Sequence, residues 1–366
     1  MPIFDIFMKL VACFLICFFV YLPQASGECS DRFCIGIILP LSHFAEYGLA
    51  VKNGIELAKS TGSIKFKGLE FKFEDSAFDA KRTIASFKKL AEIDKANLIY
   101  VLGGPMSEVV APIADRYRLP TLVSSNDPTT AIRHSYVIRF ANPAKDYGER
   151  LAKEVLARSF KHTAVLITEN QYLNSLLEAL QKSAKDIGNI KVVHRGTGEM
   201  ADFRSAITRI KVEKFDSIAV FLYPGQISQF YRQLREQQLS LPTFGSDAFE
   251  SNSEITASGS GIEGAFFANN GVTENFRTLY IKHIGNDFQL AFAALGFDLA
   301  TFLSEQFENS DKHLSPEETL RKLSQPSEFD GISGRIQVVR DISGDKYFRF
   351  PVRIRKVLNG KIITVG

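Results

Sequence analysis

The chain has 366 residues, of which 45% are hydrophobic and 23% charged, a composition typical of a folded globular protein. Its 44 basic and 41 acidic side chains leave a formal net charge of +3, too small for the basic surface that nucleic-acid binding requires. Because a single hydrophobic core stops growing at about 250–300 residues, this length predicts two lobes.

The N-terminus has the pattern of a secretory signal. An apolar run of 13 residues, 10–22, is shorter than the about 20 residues that span a bilayer as a helix, and the small residue Gly27 follows it. We therefore expect a signal peptide over residues 1–27 and export of the chain. Because Asp5 offsets Lys9 ahead of the apolar run, an uncleaved N-terminal anchor is the alternative.

Two of the four cysteines fall within the predicted signal, and the other two, Cys29 and Cys34, follow it with four residues between them. In an oxidising compartment this spacing favours a disulfide that closes a small loop before the first strand. A metal or redox pair is the alternative, but the spacing is not that of a Cys-x-x-Cys motif and no further ligand pair follows.

Short apolar runs alternate with amphipathic runs after residue 34, which predicts a parallel α/β sheet. The predicted strands of the first set are 35–39, 69–74, 98–102, 121–124 and 137–140, with helices at 46–59 and 79–92. A second set follows with strands 164–168, 191–194, 217–222 and 243–245 and helices 147–159, 173–187, 203–211 and 227–237. A long helix, 290–307, and a β-branched tail, 334–365, complete the chain, which therefore has two doubly wound lobes.

Motifs of catalysis and cofactor binding are scarce. The segment Gly259-Ser-Gly261-Ile-Glu-Gly264 matches the glycine pattern of dinucleotide-binding proteins, but a helix precedes it and a strand follows, the reverse of the required order. We interpret it as a helix-to-strand loop. The six histidines are scattered, and no nucleophile motif is present. The sequence therefore predicts no enzyme, no cofactor and no metal site.

Polar loops follow the predicted strands of the first lobe. Ser107 lies in the loop after the third strand, and Ser125 and Asn126 lie after the fourth. Open α/β sheets bind ligands at these strand ends, where helix N-termini and hydroxyls supply donors for a carboxylate. Each serine could instead cap a helix or turn.

The second lobe has a comparable set of residues. Asp247 follows a predicted strand, and the aromatic residues Tyr172 and Tyr223 follow two others; Tyr47 lies in the first lobe. An acid among aromatic rings suits a ligand ammonium group through a charge pair and cation–π contacts. Alternatively, each tyrosine only packs, with its hydroxyl in water.

A series of motifs, in this order and spacing, resembles the type I periplasmic solute-binding proteins, in particular the leucine/isoleucine/valine-binding branch. They are IGIILPLSHFAEYGLAVKNGIELA, FEDSAFDAKRTIASFKKL, VLGGPMSEVVAPIADRYRLPTLVSS, AVLITENQY and FGSDAF. The resemblance implies a Venus-flytrap receptor, joined by three crossings, with one lobe over 28–141 and 270–332 and the other over 142–269 and 333–366.

The resemblance also implies a function and a site. The protein would be a periplasmic, monomeric receptor that delivers a small molecule, such as an amino acid or a derivative, to the permease of an ABC importer. Ser107, Ser125 and Asn126 would hold the ligand carboxylate, and Asp247 would hold its ammonium group. Tyr47, Tyr172 and Tyr223 would cover the ligand. A sensing module of the same fold, not coupled to transport, is the alternative.

Asp127 departs from the family pattern because it places a negative charge beside the expected carboxylate site. If Asp127 points into the cleft, a neutral amide or a cationic solute is favoured. If Asp127 caps the helix that follows, the amino-acid chemistry is retained.

Overall fold

Two sheets organise the chain, and helices cover both faces of each. The computed structural model describes residues 32–185, 188–197, 202–308 and 314–365. The predicted signal peptide and Cys29 lie outside these residues, so cleavage and the bridge to Cys34 stay predictions. Within the described part, no helix combines the length and the apolar character needed to cross a membrane.

The described strands, in chain order, are β1 (Phe33–Leu39), β2 (Leu69–Asp75), β3 (Leu98–Leu102), β4 (Thr121–Ser124), β5 (Val137–Arg139), β6 (His162–Thr168), β7 (Asn189–Gly196), β8 (Ser217–Phe221), β9 (Thr243–Gly245), β10 (Phe266–Asn270), β11 (Ser327–Gly331), β12 (Gly334–Arg340), β13 (Lys346–Arg349), β14 (Val352–Leu358) and β15 (Lys361–Val365).

The described helices are α1 (Ala45–Ser60), α2 (Ala80–Glu92), α3 (Gly104–Tyr117), α4 (Thr129–Ile132), α5 (Ala144–Ala157), α6 (Gln171–Ser183), α7 (Arg204–Val212), α8 (Gln226–Glu236), α9 (Asn252–Ser258), α10 (Glu274–Ile284), α11 (Leu290–Phe307) and α12 (Pro316–Ser324). A 3₁₀ turn, Gly259–Ile262, joins α9 to β10, so the glycine-rich segment is the predicted helix-to-strand loop.

The predicted fold class, two doubly wound α/β lobes, is confirmed. In the first sheet the strand order is β11-β12-β13-β5-β4-β3-β1-β2, and in the second it is β15-β14-β10-β9-β8-β6-β7. The pairs among β1 to β5 and among β6 to β10 are parallel. Antiparallel strands from the C-terminal part of the chain extend both sheets.

The C-terminal strands correct one predicted boundary. The strands β12 and β13 pair with each other in the first sheet. Strand β13 also runs parallel to β5, with Tyr347 opposite Arg139. Only β14 and β15 join the second sheet. The assignment of 333–366 to the second lobe is therefore wrong for 334–349, and the last crossing follows β13. The open edge of β5 pairs with β13, a neighbour that the alternation of side chains alone does not reveal.

Close packing of α1 against α11 completes the first lobe. A Cβ on Gly54 would lie 1.9 Å from the carbonyl oxygen of Ala293, and one on Gly296 would lie 2.0 Å from that of Val51. Only glycine allows such a close approach of two helix backbones.

Asn142 links the three crossings between the lobes and is fully buried. It lies in the first crossing and donates from Nδ2 to Asn270 Oδ1 (3.0 Å) and to the carbonyl oxygen of Phe350 (3.1 Å). Its Oδ1 accepts the N–H of Phe350 at 2.8 Å. Because Asn270 ends β10 and Phe350 follows β13, one side chain joins all three crossings.

Candidate ligand-binding cleft between the lobes

A cleft of about 210 Å³ lies between the lobes and is lined by residues from both. In each sheet the parallel strands reverse their order at one point, between β1 and β3 and between β6 and β8. Open α/β sheets leave a crevice at such a switch point, beyond the carboxyl ends of the strands. The loops after β1, β3, β6 and β8 all contribute to the lining, as this rule requires.

The N-terminus of α3 forms part of the first-lobe wall. Gly103 and Gly104 line the cleft, and Gly103, as the N-cap, supplies no side-chain hydrogen bond to the helix. The first N–H groups of a helix lack partners within the helix, so this end presents donors to a ligand. Gly103 has φ 104°, and a Cβ there would lie 2.9 Å from the ring of Phe78.

Ser107 lies outside the set of residues that line the cleft. Its side chain is buried, and its Oγ donates to the carbonyl oxygen of Gly103 at 2.7 Å, one helical turn earlier. This hydroxyl therefore binds the backbone of its own helix, and Ser107 neither lines the cleft nor caps the helix.

The loop after β4 contributes Ser125 and Asn126, and both line the cleft. The Oγ atoms of Ser125 and Thr130 lie 3.1 Å apart, and Asn126 Nδ2 donates to the carbonyl oxygen of Asn142 at 2.8 Å. The second bond connects the loop directly to the crossing residue. The buried guanidinium of Arg139 donates from Nη1 to the carbonyl oxygen of Ser125 at 3.0 Å.

Asp127 both lines the cleft and holds the short helix α4. Its Oδ1 accepts the N–H of Thr129 at 2.9 Å, and its Oδ2 accepts from Thr129 Oγ1 at 2.8 Å. Asp127 therefore holds the start of α4 and also places its negative charge at the cleft wall. The sequence had left these two roles as alternatives.

Asp247 and Tyr172 form a pair on the second-lobe wall. Tyr172 Oη donates to Asp247 Oδ1 at 2.7 Å, and burial raises the pKa of the Asp247 carboxyl group above its usual range. Nearby, Asn170 Nδ2 donates to Tyr223 Oη at 2.6 Å. Both tyrosines line the cleft together with Asp247.

Aromatic rings from both lobes surround the cleft: Phe44, Tyr47, Phe78, Tyr172, Tyr223 and Phe292. The rings of Phe44 and Phe78 meet edge to face at 5.1 Å, and those of Tyr47 and Phe292 do so at 5.0 Å. Phe44 and Phe78 have φ angles of 52° and 53°, which side-chain-bearing residues rarely adopt. Such strained backbone concentrates at ligand sites, where the surrounding packing maintains it.

Direct hydrogen bonds join the lobes beside the cleft. Glu46 of α1 accepts hydrogen bonds from Ser251 Oγ at 2.7 Å and from Ser253 Oγ at 3.1 Å. Glu250, which is buried and 3.0 Å from Arg355, accepts the N–H of Ala291 in the first turn of α11 at 3.3 Å. These bonds bring the loop after β9 against two helices of the first lobe.

Of the seven predicted site residues, the cleft brings six together: Tyr47, Ser125, Asn126, Tyr172, Tyr223 and Asp247. Four lining residues were not predicted from the sequence: Phe44, Phe78, Glu108 and Phe292. Phe44 and Phe78 follow β1 and β2, so the rule that identified the other loops could have found them. Phe292 could not be found that way, because it lies far along the chain in α11.

The chemistry of the lining suits binding of a small organic molecule. Aromatic and aliphatic groups supply most of the surface, and a few polar groups converge on it, a combination typical of ligand pockets. Among the described residues, no group of three or more His, Cys, Asp or Glu side chains could hold a metal ion.

A comparison with known proteins identifies the family of this chain. A family model described as periplasmic binding protein matches residues 35–361, so the chain belongs to the periplasmic binding protein family. Among curated protein sequences, none matches the chain.

Three solved structures illustrate the similarity of the fold. A leucine-binding protein from Thermotoga maritima MSB8 is 20% identical, with a TM-score of 0.80 over 91% of this chain and 97% of that one. A solute-binding protein of an ABC transporter from Rhodopseudomonas palustris BisB5, in complex with 3,4-dihydroxybenzoic acid, is 20% identical, with a TM-score of 0.78 over 92% and 97%. A branched-chain amino-acid transporter substrate-binding protein from Streptococcus pneumoniae, in complex with isoleucine, is 19% identical, with a TM-score of 0.78 over 91% and 99%.

Proposed function

We propose that the protein is a periplasmic receptor of an ABC importer, which binds an amino acid or a close derivative between its lobes. The observation that carries this proposal is the pairing of Asp247 with Tyr172 on one wall, opposite the uncapped N-terminus of α3 and the Ser125 loop on the other. The protein acts as a receptor and not as an enzyme, and the permease of the importer is its partner.

The ligand ammonium group is proposed to lie at Asp247. A carboxylate and surrounding tyrosine rings stabilise an ammonium ion through a charge pair and through the negative faces of the rings. The polar end of the ligand then faces the donors of α3 and the Ser125 loop. Its side chain packs against aromatic residues such as Phe44 and Phe292.

The known relatives bind different classes of ligand, and Asp247 favours one of them. Two of the similar structures are a leucine-binding protein and a protein in complex with isoleucine, whereas a third holds 3,4-dihydroxybenzoic acid. An amino acid offers Asp247 a positive charge. A benzoate offers no such group, and its carboxylate would be repelled by the acid.

Binding is proposed to close the cleft. A ligand that contacts both lobes has higher affinity for the closed arrangement and shifts the population toward it. The bonds of Glu46 to Ser251 and Ser253 join the lobes beside the ligand and would form on closure.

Isothermal titration against a panel of L-amino acids and their amides tests the ligand class, and small-angle X-ray scattering tests closure. We expect at least one member to bind and to reduce the radius of gyration. Asp247→Asn should weaken binding strongly, whereas Asp330→Asn, an exposed acid of the first lobe outside the cleft, should not. Failure of every member to bind would exclude the amino-acid class, and unchanged scattering with a bound ligand would exclude closure.

A further inference from the structure

The charged residues that line the cleft are all acidic. Glu108 and Asp127 lie on the first-lobe side and Asp247 on the second, and no described lining residue is Lys, Arg or His. An amino-acid zwitterion has no net charge, so it would leave this excess of negative charge uncompensated.

Glu108 and Asp127 have no cationic partner within the described part of the chain. The Asp127 carboxylate accepts hydrogen bonds only from Thr129, and the Glu108 carboxylate takes part in no ion pair or hydrogen bond there. Partial burial and the charge of Asp127 together raise the pKa of Glu108, so the two carboxylates are close enough to repel each other.

A buried cation beside the Ser125 loop does not neutralise these acids. Arg139 is fully buried and donates from Nε to Asp345 Oδ1 at 3.1 Å and from Nη2 to Asp345 Oδ2. Its remaining bond, to the carbonyl oxygen of Ser125, fixes the loop and brings no free charge to the cleft. A ligand carboxylate beside Ser125 would therefore face Asp127 and Glu108 with no charged partner.

The aromatic lining favours positive charge in the ligand. Ring faces attract organic cations, and the cleft has six rings. The hydroxyl of Tyr47, one of these rings, is also buried at the cleft wall.

We infer that the ligand is an organic cation: an amino-acid derivative whose carboxylate is absent or neutralised, such as an amine, amide or ester. The inference rests on the proposed function and narrows it. The ammonium group pairs with Asp247, and the negative field of Glu108 and Asp127 favours a ligand without a carboxylate at the other end.

Two matched series of probes test this by calorimetric titration. The first is L-leucine, L-leucinamide, isoamylamine and 4-methylpentanoate; the second is L-phenylalanine, L-phenylalaninamide, phenethylamine and 3-phenylpropanoate. Each carboxylate held about 4–6 Å from a ligand charge in water-like surroundings changes affinity roughly three- to sixfold, and more in a drier cleft. With two such carboxylates, we expect the amide or amine to bind roughly ten- to thirtyfold more tightly than the parent amino acid. The probe that has a carboxylate and no amine should bind most weakly.

The substitution Glu108→Gln removes the negative charge of the side chain and keeps nearly the same shape. It should weaken amine binding roughly three- to sixfold and should not weaken binding of the amino acid. The control is Glu56→Gln, because Glu56 lies on the first lobe, has a half-exposed side chain that pairs with Lys59, and does not line the cleft. It should leave both affinities unchanged.

The outcomes separate the inference from the proposed function. If an amino acid binds as tightly as its amide and amine, or if Glu108→Gln weakens both alike, the cation preference is wrong and the receptor assignment stands. If no member of either series binds, the amino-acid-derivative class fails, and this inference fails with it.

Discussion

Replacing Asn142 by alanine removes the side chain that joins the three crossings. The variant loses the bonds from Asn142 to Asn270 and to both backbone groups of Phe350. Asn270 Oδ1 keeps its bond from Tyr147 Oη at 2.7 Å, so the loss falls mainly on the N–H and the carbonyl of Phe350.

The expected cost follows from these two backbone groups. A buried polar group left without its partner costs about 1–3 kcal/mol, so the loss of both partners in Asn142→Ala should lower the free energy of unfolding by about 2–6 kcal/mol. Because the total for a typical domain is about 5–15 kcal/mol, such a loss is easily measured.

Urea denaturation followed by circular dichroism and by tyrosine fluorescence measures the effect. Asn189→Ala is the matched control, because Asn189 is exposed at the start of β7, and surface substitutions change stability by about 0.5 kcal/mol or less. A loss below about 1 kcal/mol in Asn142→Ala, or an equal loss in the control, would refute the role given to the crossing bonds.

Three further predictions concern buried charges. Asp345→Ala leaves Arg139 buried without its partner and should lower the free energy of unfolding by about 3–5 kcal/mol in urea denaturation. The double variant Arg139→Met, Asp345→Leu should recover most of this loss. An equal loss in both variants would contradict this prediction. Burial raises the pKa of Asp298 to about 7, so its stabilising contribution is complete below pH 4 and is lost as the pH rises through 7. The urea midpoint of the wild type should therefore fall from pH 5 to pH 8 relative to that of Asp298→Asn, and parallel profiles would exclude this assignment. Because the pKa of Asp247 is raised, binding of an ammonium ligand should strengthen as the pH rises through that pKa, and calorimetric titration of Asp247→Asn should show no such dependence.

Most of the fold could be predicted because the patterns that indicate helices and strands lie within short stretches of the sequence. Strands β3, β4 and β9 and helix α11 have the predicted bounds, and the other predicted elements differ by a few residues at their ends. The buried face of α1 is harder to predict, because alanine and leucine occur on several faces of this helix. Leu49 is exposed, whereas Ala50, Val51 and Ile55 are buried.

The features that the sequence did not predict depend on contacts between distant residues. The strands β12 and β13 could have joined either sheet, because alternation identifies a strand but not its neighbour. Ser107 was placed in the site by its position after β3, and only the hydrogen bond to Gly103 shows that its hydroxyl serves the helix. Glu108, one residue later, lines the cleft because the next position of a helix points to a different side.

The central claim is that the cleft between the lobes binds an ammonium-bearing solute at Asp247. A crystal structure of the protein with the tightest-binding member of the titration panel tests it most directly. We predict a ligand in contact with both lobes, with its nitrogen within hydrogen-bond distance of an Asp247 carboxylate oxygen. A ligand bound outside the cleft, or with its nitrogen directed away from Asp247, would contradict the claim.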